Sequence, residues 1–185
     1  GHETTASAIA WTLLWLDRDE PVRRDLIAEL DATSDDGSNA THVPLLQAVA
    51  EESLRLSPPA TLAGNRVTTE DSDLFGVPLP RGTELTPSIY LAHHHPDRFP
   101  HPFRFDPRRF LGKRVPSSHY FPFGGGIRRC LGSELAMLEI RMIIAALLRR
   151  RELRCVNPRA GTPRLRGPAM APSGRLRVAV TACRD

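Results

Sequence analysis

A glycine-rich stretch that places one cysteine directly before an apolar segment constrains this chain most. Residues 123–132 read Phe-Gly-Gly-Gly-Ile-Arg-Arg-Cys-Leu-Gly, and residues 133–149 are apolar on almost every side. Such an apolar segment is typical of a helix that the fold buries. Glycines let main-chain N–H groups approach the sulfur, and a helix amino terminus favours the thiolate form. The pattern therefore predicts a loop that presents Cys130 as a thiolate, a good ligand for a metal.

Two other interpretations of this loop stay open on these residues alone. A single buried cysteine is most often structural, and a glycine-rich loop before a helix can bind phosphate. The phosphate interpretation lacks the Gly-Lys-Ser/Thr ending that such loops carry. Phe123 and Arg128, which lie close to Cys130, weigh against a purely structural cysteine.

The composition indicates one ordinary globular domain. The chain has 185 residues, of which 41% are hydrophobic and 25% charged, and no run of eighteen apolar residues predicts a membrane segment. Its three cysteines form no CxxC pair, which argues against a disulfide scaffold or a zinc ribbon and favours a reducing compartment. The chain begins at Gly1 without a secretory leader, so we expect it to be part of something longer.

Positive charge is concentrated in the tail. Residues 141–185 hold 11 basic and 2 acidic residues. A basic tail is compatible with nucleic-acid binding. However, no aromatic residue follows Phe123 to stack on bases, so we expect no nucleic-acid partner.

Apolar spacing predicts helices in the first third of the chain and a minor sheet after them. The expected helices are residues 1–16, 21–30 and 43–56, the last ended by Pro58-Pro59, with a polar loop at residues 33–41. The expected strands are residues 65–69, 74–79, 84–88 and 176–182, with a turn at Pro80-Arg81-Gly82. Residues 96–122 are rich in proline and predict a meander. The fold class is therefore mainly α with a minor β-sheet, that is α+β.

The stretch 123–132 resembles, at every fixed position, the signature F-x-x-G-x-R-x-C-x-G of the cytochrome P-450 family. The resemblance implies that Cys130 is the axial ligand of the iron of haem b. It also implies that Arg128 pairs with a haem propionate and that Phe123 packs beside the iron–sulfur bond. The fixed glycines of the signature, Gly126 and Gly132, are then expected at the cofactor.

Glu52 and Arg55 are three residues apart, so they share one helix face. On this spacing alone they form an ordinary surface pair. The segment resembles the E-x-x-R helix of the same family, and Arg109 lies in a stretch similar to the family's P-x-R-F meander. The resemblance implies that Glu52, Arg55 and Arg109 form a buried, structural charge network that fixes the meander near the cysteine.

The first residues, Gly-His-Glu-Thr-Thr, resemble the family's oxygen-side helix, G-x-[DE]-T-[TS]. The resemblance implies that Glu3 and Thr4 are catalytic and deliver protons during dioxygen activation, with Thr5 a weaker candidate. Taken alone, Glu-Thr-Thr is also an ordinary first turn of a helix.

Three further segments carry a weaker resemblance. Arg66 is similar to an arginine that pairs with a haem propionate, and a surface arginine is the alternative. His93, His94 and His95 cannot all face one metal ion from a helix or strand, and their place in the family's H-R-D-P stretch implies a structural role. Residues 59–63 and 168–169 resemble segments that line the substrate pocket.

The resemblance covers residues 1–185 as the carboxy-terminal, haem-binding portion of one cytochrome P-450 domain, with the amino-terminal part absent. It implies a bacterial, soluble, cytoplasmic monooxygenase that uses dioxygen to hydroxylate or epoxidise a small apolar organic substrate. A ferredoxin, flavodoxin or reductase would supply electrons, and Arg129 would help to dock an acidic donor. We expect the portion to be inactive alone. A peroxide-using haem-thiolate enzyme and a haem-free structural or interaction remnant of the fold are the alternatives.

Overall fold

The computed structural model describes residues 1–33, 42–157, 161–174 and 176–184. The helices in these residues are α1 His2–Arg18, α2 Glu20–Asp31, α3 Pro44–Leu56, α4 Ile89–His93 and α5 Ser133–Arg150. The strands are β1 Arg66–Val67, β2 Ser72–Leu74, β3 Val77–Leu79, β4 Glu84–Leu85, β5 Arg151–Cys155, β6 Pro163–Arg166, β7 Ala169–Pro172 and β8 Val178–Cys183. This content confirms the predicted class, mainly α with a minor β component. The predicted polar loop lies, from residue 34 to 41, outside the described residues.

A single residue separates α1 from α2. The Asp19 carboxylate accepts a hydrogen bond from the Val22 amide at 3.1 Å and so caps α2. Pro21 occupies the first turn of α2, where its missing N–H is not needed. The charged stretch between the two apolar patterns therefore ends one helix and begins the next, as predicted.

The main core lies between α1, α2, α3 and α5. The hydroxyls of Thr12 on α1 and Ser53 on α3 are 3.0 Å apart, and the Trp15 indole N–H donates to the Ser57 hydroxyl at 3.1 Å. These two contacts fix α1 against α3 inside an apolar cluster, in which each enclosed aliphatic side chain contributes about 1.5–3 kcal/mol. Side chains from all four helices are almost fully enclosed: Leu16, Leu26, Leu30, Leu46, Val49, Ile140 and Ile144.

The strands form four separate antiparallel pairs: β1 with β4, β2 with β3, β5 with β8 and β6 with β7. The prediction of one strand over residues 74–79 was wrong. Phe75 and Gly76 both have positive φ, 54° and 84°, and form the turn of the β2–β3 hairpin. The Asp73 carboxylate accepts the Gly76 amide at 2.8 Å, which stabilises this turn against the strand preference of its apolar neighbours.

The tail departs most from the sequence-based expectation. Of its four strands only β8 was predicted, because arginines and prolines obscure the alternation in β5, β6 and β7. α5 was predicted to be a buried helix, and it is buried only in part: Met137, Ile140 and Ile144 are buried, whereas Leu135 and Ile143 are 59% and 41% exposed. Among the described residues, no helix combines the length and the apolar character that a bilayer crossing requires.

Candidate active site

The cysteine loop, residues 123–132, is closed by its own main chain. The Cys130 amide donates to the Phe123 carbonyl at 2.9 Å, and the Arg129 amide donates to the Gly126 carbonyl at 3.1 Å. Gly124 and Gly126 have φ of 71° and 64°, in the left-handed region that favours glycine. The turn leaves Cys130 exposed, three residues before α5 begins.

One cavity of about 660 Å³, called here the cysteine cavity, joins the loop to the start of α1. The predicted site residues that line it are Thr4, Thr5, Phe123, Arg128, Cys130 and Gly132. Four of the residues in the segment 59–63, which was predicted to line a substrate pocket, also line it: Pro59, Ala60, Leu62 and Ala63. The structure thus brings Cys130 and Thr4 to a single cavity.

Glu3 does not line the cysteine cavity. Its carboxylate lies against Gly167 in the β6–β7 turn, where an added Cβ would come within 3.1 Å of Oε2. Thr4, in contrast, lines the cavity, and its hydroxyl donates to the Gly1 carbonyl at 2.9 Å. The structure therefore separates the two residues that were predicted to act as a pair.

Three other predicted positions also lie away from this cavity. Arg66 is exposed on β1, and its guanidinium donates to the carbonyls of Gly64 at 2.8 Å and Asn65 at 3.0 Å. Gly126 lines a different depression. Ala169 is buried in β7, next to Met170, whose carbonyl accepts the Trp11 indole N–H at 3.1 Å.

The predicted charge network is assembled and enclosed. Arg55 donates through Nε and Nη2 to the two carboxylate oxygens of Glu52 at 2.7 and 2.9 Å, and both side chains have no exposed surface. Arg109 donates to Glu52 Oε1 at 3.2 Å, and the Asp106 amide donates to the same oxygen at 2.8 Å. The network therefore ties α3 to the meander.

The remaining donors of Arg55 bind main-chain carbonyls. Nη1 donates to His93 at 2.9 Å and to Pro102 at 2.7 Å, and Nη2 donates to Arg104 at 3.2 Å. The guanidinium carbon also lies 5.0 Å from the centre of the Phe99 ring. These contacts satisfy a charge that burial would otherwise make very costly.

His93 connects this network to Phe121, two residues before the cysteine loop. No sequence pattern revealed this contact. The His93 ring is fully buried, and Nε2 accepts the Phe121 amide at 2.9 Å. Burial, followed by the positive charges of Arg55 and His94, lowers the pKa of His93 from 6.5 to about 3. The ring is therefore neutral and able to accept a hydrogen bond.

His94 and Tyr120 are fixed by different contacts. His94, at the carboxy-terminal end of α4, bonds the Tyr90 carbonyl through Nδ1 at 2.8 Å, and burial lowers the pKa of His94. The Tyr120 hydroxyl donates to the Glu51 carbonyl at 2.9 Å, and burial raises the pKa of Tyr120. Tyr120 thus attaches the segment before the cysteine loop to α3.

The residues at the cysteine cavity fit a haem. The thiol of Cys130 is accessible, and Arg128 has no ion-pair partner within the described ranges. A Cβ added at Gly124 or Gly132 would meet no atom within 4 Å, so bare main chain borders open space there. The exposed apolar faces of α5 at Leu135 and Ile143 line the same space, as a flat apolar macrocycle requires.

A second depression, of about 1210 Å³, lies on another side of the cysteine loop and is called here the arginine groove. Its lining includes three arginines and two carboxylates: Arg114, Arg129, Arg141, Glu51 and Glu134. Arg129 donates to Glu134 at 3.0 Å, and both side chains are more than half exposed. The groove therefore offers mixed charge with an excess of positive residues.

Fold and site together define a mainly helical protein that presents a free cysteine, beside an arginine, to an apolar cavity. Comparison with known proteins agrees: the sequence model of the family Cytochrome P-450 matches residues 1–177. The chain belongs to the cytochrome P-450 family.

Individual relatives show how much of the fold is present. The chain is 37% identical to cytochrome P-450 135B1 of Mycobacterium tuberculosis over 185 residues, all of this chain and 39% of that protein. It is 40% identical to cyclooctatin synthase of Streptomyces melanosporofaciens over 163 residues, 83% of this chain and 35% of that protein. A zebrafish cytochrome P-450 solved with abiraterone superposes with a TM-score of 0.81 and 30% identity, over 99% of this chain and 45% of the other. The chain thus spans less than half the length of these relatives.

Proposed function

We propose that this chain is the haem-binding portion of a haem-thiolate monooxygenase in which Cys130 ligates the iron of haem b. One observation carries the proposal: Cys130 and Thr4 line one apolar cavity, although 126 positions separate them in the sequence. A buried structural cysteine would not need an accessible thiol. Arg128, which lines the same cavity, would neutralise a haem propionate.

Bound haem supplies the redox chemistry by which one atom of dioxygen enters a C–H or C=C bond of the substrate. The chain's own residues contribute a ligand, a cavity wall and protons. Cys130 gives an electron-rich sulfur ligand. Thr4 lines the cavity and carries the hydroxyl that would deliver a proton, and Glu3, exposed next to it in sequence, would supply that proton from solvent.

The cavity lining supports a small apolar organic substrate. Pro59, Leu62 and Ala63 belong to the segment that was expected to line a substrate pocket. They line the cysteine cavity and carry no charge. A related protein of Streptomyces melanosporofaciens bears the name cyclooctat-9-en-7-ol 5-monooxygenase, which supports hydroxylation of a hydrocarbon skeleton as the reaction class.

Electrons come, in this proposal, from an acidic ferredoxin, flavodoxin or reductase in the bacterial cytoplasm. The arginine groove is the docking surface, because long-range attraction to its excess positive charge favours an acidic donor. Arg129→Glu in the full-length protein is expected to slow reduction and to weaken its dependence on salt. An unchanged rate and salt dependence would refute this assignment.

The reduced, carbon-monoxide difference spectrum of the full-length protein tests the haem ligand. We expect a red-shifted Soret band typical of thiolate ligation, lost in Cys130→Ala and kept in Cys183→Ala, which removes another exposed cysteine. A thiolate-type band that survives Cys130→Ala, or no haem binding by the folded protein, contradicts the proposal. The second outcome would favour the haem-free alternative.

The position of Glu3 favours one other reaction. Its carboxylate contacts Gly167 rather than the cysteine cavity, and a peroxide-using enzyme needs no acid–alcohol pair. Product formation with dioxygen and an electron donor is therefore to be compared with product formation from hydrogen peroxide. If Thr4 serves as proposed, Thr4→Ala lowers only the first reaction, by about 10²-fold.

A further inference from the structure

The segment that leads into the cysteine loop is held by a buried histidine. The Nε2 atom of His93 accepts the Phe121 amide at 2.9 Å, and the ring has no exposed surface. It stacks on Tyr120, with ring centres 5.1 Å apart, and meets Phe121 and Phe99 edge-on. The ring is therefore fixed in position by aromatic contacts on several sides.

Further main-chain hydrogen bonds link Phe121 to the loop that carries the cysteine. The Phe121 carbonyl accepts the Gly124 amide at 2.9 Å, and the Phe123 carbonyl accepts the Cys130 amide at 2.9 Å. At the other end, the His93 carbonyl accepts Arg55 Nη1 at 2.9 Å. His93 thus stands between the buried charge network and the loop that carries Cys130.

The proton arrangement indicates why a histidine occupies this position. Because Nε2 accepts the Phe121 amide, the neutral ring carries its proton on Nδ1. Nδ1 is buried and has no hydrogen bond of good geometry within the described residues, although a main-chain group of Arg55 lies close enough to raise the pKa of His93. The hydrogen bond that Nε2 accepts at 2.9 Å is therefore the well-formed one, and the fold uses this ring mainly as an acceptor.

We infer that His93 is a positioning residue for the cysteine ligand: its Nε2 holds the Phe121 amide and thereby fixes the turn from which Cys130 meets the haem iron. The inference rests on the proposed haem-thiolate function and adds a residue that acts through the loop rather than at the cofactor. Hydrogen-bonding partners that orient a metal ligand typically change metal affinity by about 10–100-fold when they are lost.

Two variants of similar shape isolate the acceptor. His93→Gln keeps an oxygen that reaches toward the Phe121 amide, whereas His93→Met fills the same space without a good acceptor. The matched control is the same pair of substitutions at His94, whose ring bonds back to Tyr90 in α4 and does not reach the loop. All four variants are made in the full-length protein, with thermal unfolding measured for each.

Three readouts compare the Gln and Met variants. We expect His93→Met to lose haem to excess apomyoglobin roughly 10-fold faster than His93→Gln, and to retain less of the thiolate-type carbon-monoxide band. In the haem-free protein, the Phe121 amide is expected to exchange its hydrogen roughly 10-fold faster in His93→Met. At position 94 the Gln and Met variants are expected to show the same haem-loss rate and spectrum.

The outcomes separate this inference from the proposed function. If the wild-type protein shows no thiolate-type band, the proposed function fails and the positioning role fails with it, and amide exchange then reports only whether His93 fixes the loop. If the wild-type band is present but the two variants at position 93 match in haem loss, spectrum and amide exchange, the positioning role alone is wrong.

Discussion

The Arg55 guanidinium meets the Glu52 carboxylate through two hydrogen bonds of 2.7 and 2.9 Å, and neither side chain reaches solvent. Two buried charges are stable only if nearly all their hydrogen-bonding capacity is used. Here Arg109 and the Asp106 amide satisfy the carboxylate further, and three carbonyls satisfy the guanidinium. The pair therefore joins α3 to the meander, and removal of Glu52 leaves the Arg55 charge buried without a carboxylate partner.

Glu52→Gln is expected to lower the free energy of unfolding by about 3–5 kcal/mol, because it leaves the Arg55 charge unpaired. Urea unfolding of the full-length protein measures the loss. The control is Arg108→Gln, which removes an exposed pair with Asp25 whose side chains are 58% and 39% exposed. That variant should lose about 0–1 kcal/mol. Equal losses in the free energy of unfolding would show that the buried pair contributes no more to stability than the exposed pair does.

Arg55→Lys keeps the charge and tests geometry. Arg55 makes two bonds to Glu52 and three to carbonyls, whereas lysine offers three donors from one atom. At least two bonds are lost, at about 1–3 kcal/mol for each buried group left unsatisfied. Arg109 donates to Glu52 at 3.2 Å and, over longer contacts of 3.4 Å, to the Pro100 carbonyl, and its side chain is partly exposed, so we expect a smaller loss in Arg109→Lys. A larger loss for Arg109→Lys in urea unfolding would contradict this ranking.

The local sequence pattern was sufficient to predict helices whose buried residues recur with helical spacing. The apolar faces of α1, α2 and α3, and the prolines at their ends, are visible in short stretches of sequence, so these helices could be predicted. The β6–β7 hairpin could not, because the alternation of Pro163–Arg166 is hidden by arginines on an exposed strand. Its position depends on distant partners, including the Pro59 carbonyl, which accepts the Met170 amide at 2.7 Å.

The same distinction between local pattern and tertiary contact applies to the candidate site. The signature of the cysteine loop identified Cys130, Arg128 and Phe123 because it is one continuous stretch. The direction of the Glu3 carboxylate depends on contact with Gly167, which the sequence separates from it by more than 160 positions. The acceptor role of His93 toward Phe121 depends likewise on a tertiary contact, so no local pattern could reveal it.

Tyr120→Phe is expected to lower the free energy of unfolding by about 1 kcal/mol, because the Glu51 carbonyl loses the hydroxyl that it accepts at 2.9 Å. The phenyl ring keeps the stacking on His93, so the change isolates the hydrogen bond. Thermal unfolding measures it, with Tyr90→Phe, at a more exposed ring, as the control. A loss in Tyr90→Phe that matches the loss in Tyr120→Phe would contradict the assignment.

The low pKa of His93 predicts acid sensitivity with a definite sign. In the folded protein the pKa is lowered from 6.5 to about 3, so between these values the unfolded chain binds a proton that the folded protein does not. The stability that His93 contributes is fully present above pH 6.5 and is lost as pH falls toward 3, at up to about 1.4 kcal/mol per pH unit.

His93→Gln removes this titration, so its unfolding free energy should fall less steeply than that of the wild type between pH 6.5 and 4. The lowered pKa of His94 acts in the same direction, but it is present in both proteins. Burial raises the pKa of Glu51, which acts in the opposite direction, since that stability is lost as pH rises. The difference between the two proteins in urea unfolding therefore isolates His93. Parallel pH profiles would contradict the prediction. They would show that His93 binds a proton in the folded protein, because only a ring that stays neutral there gives the two proteins different slopes.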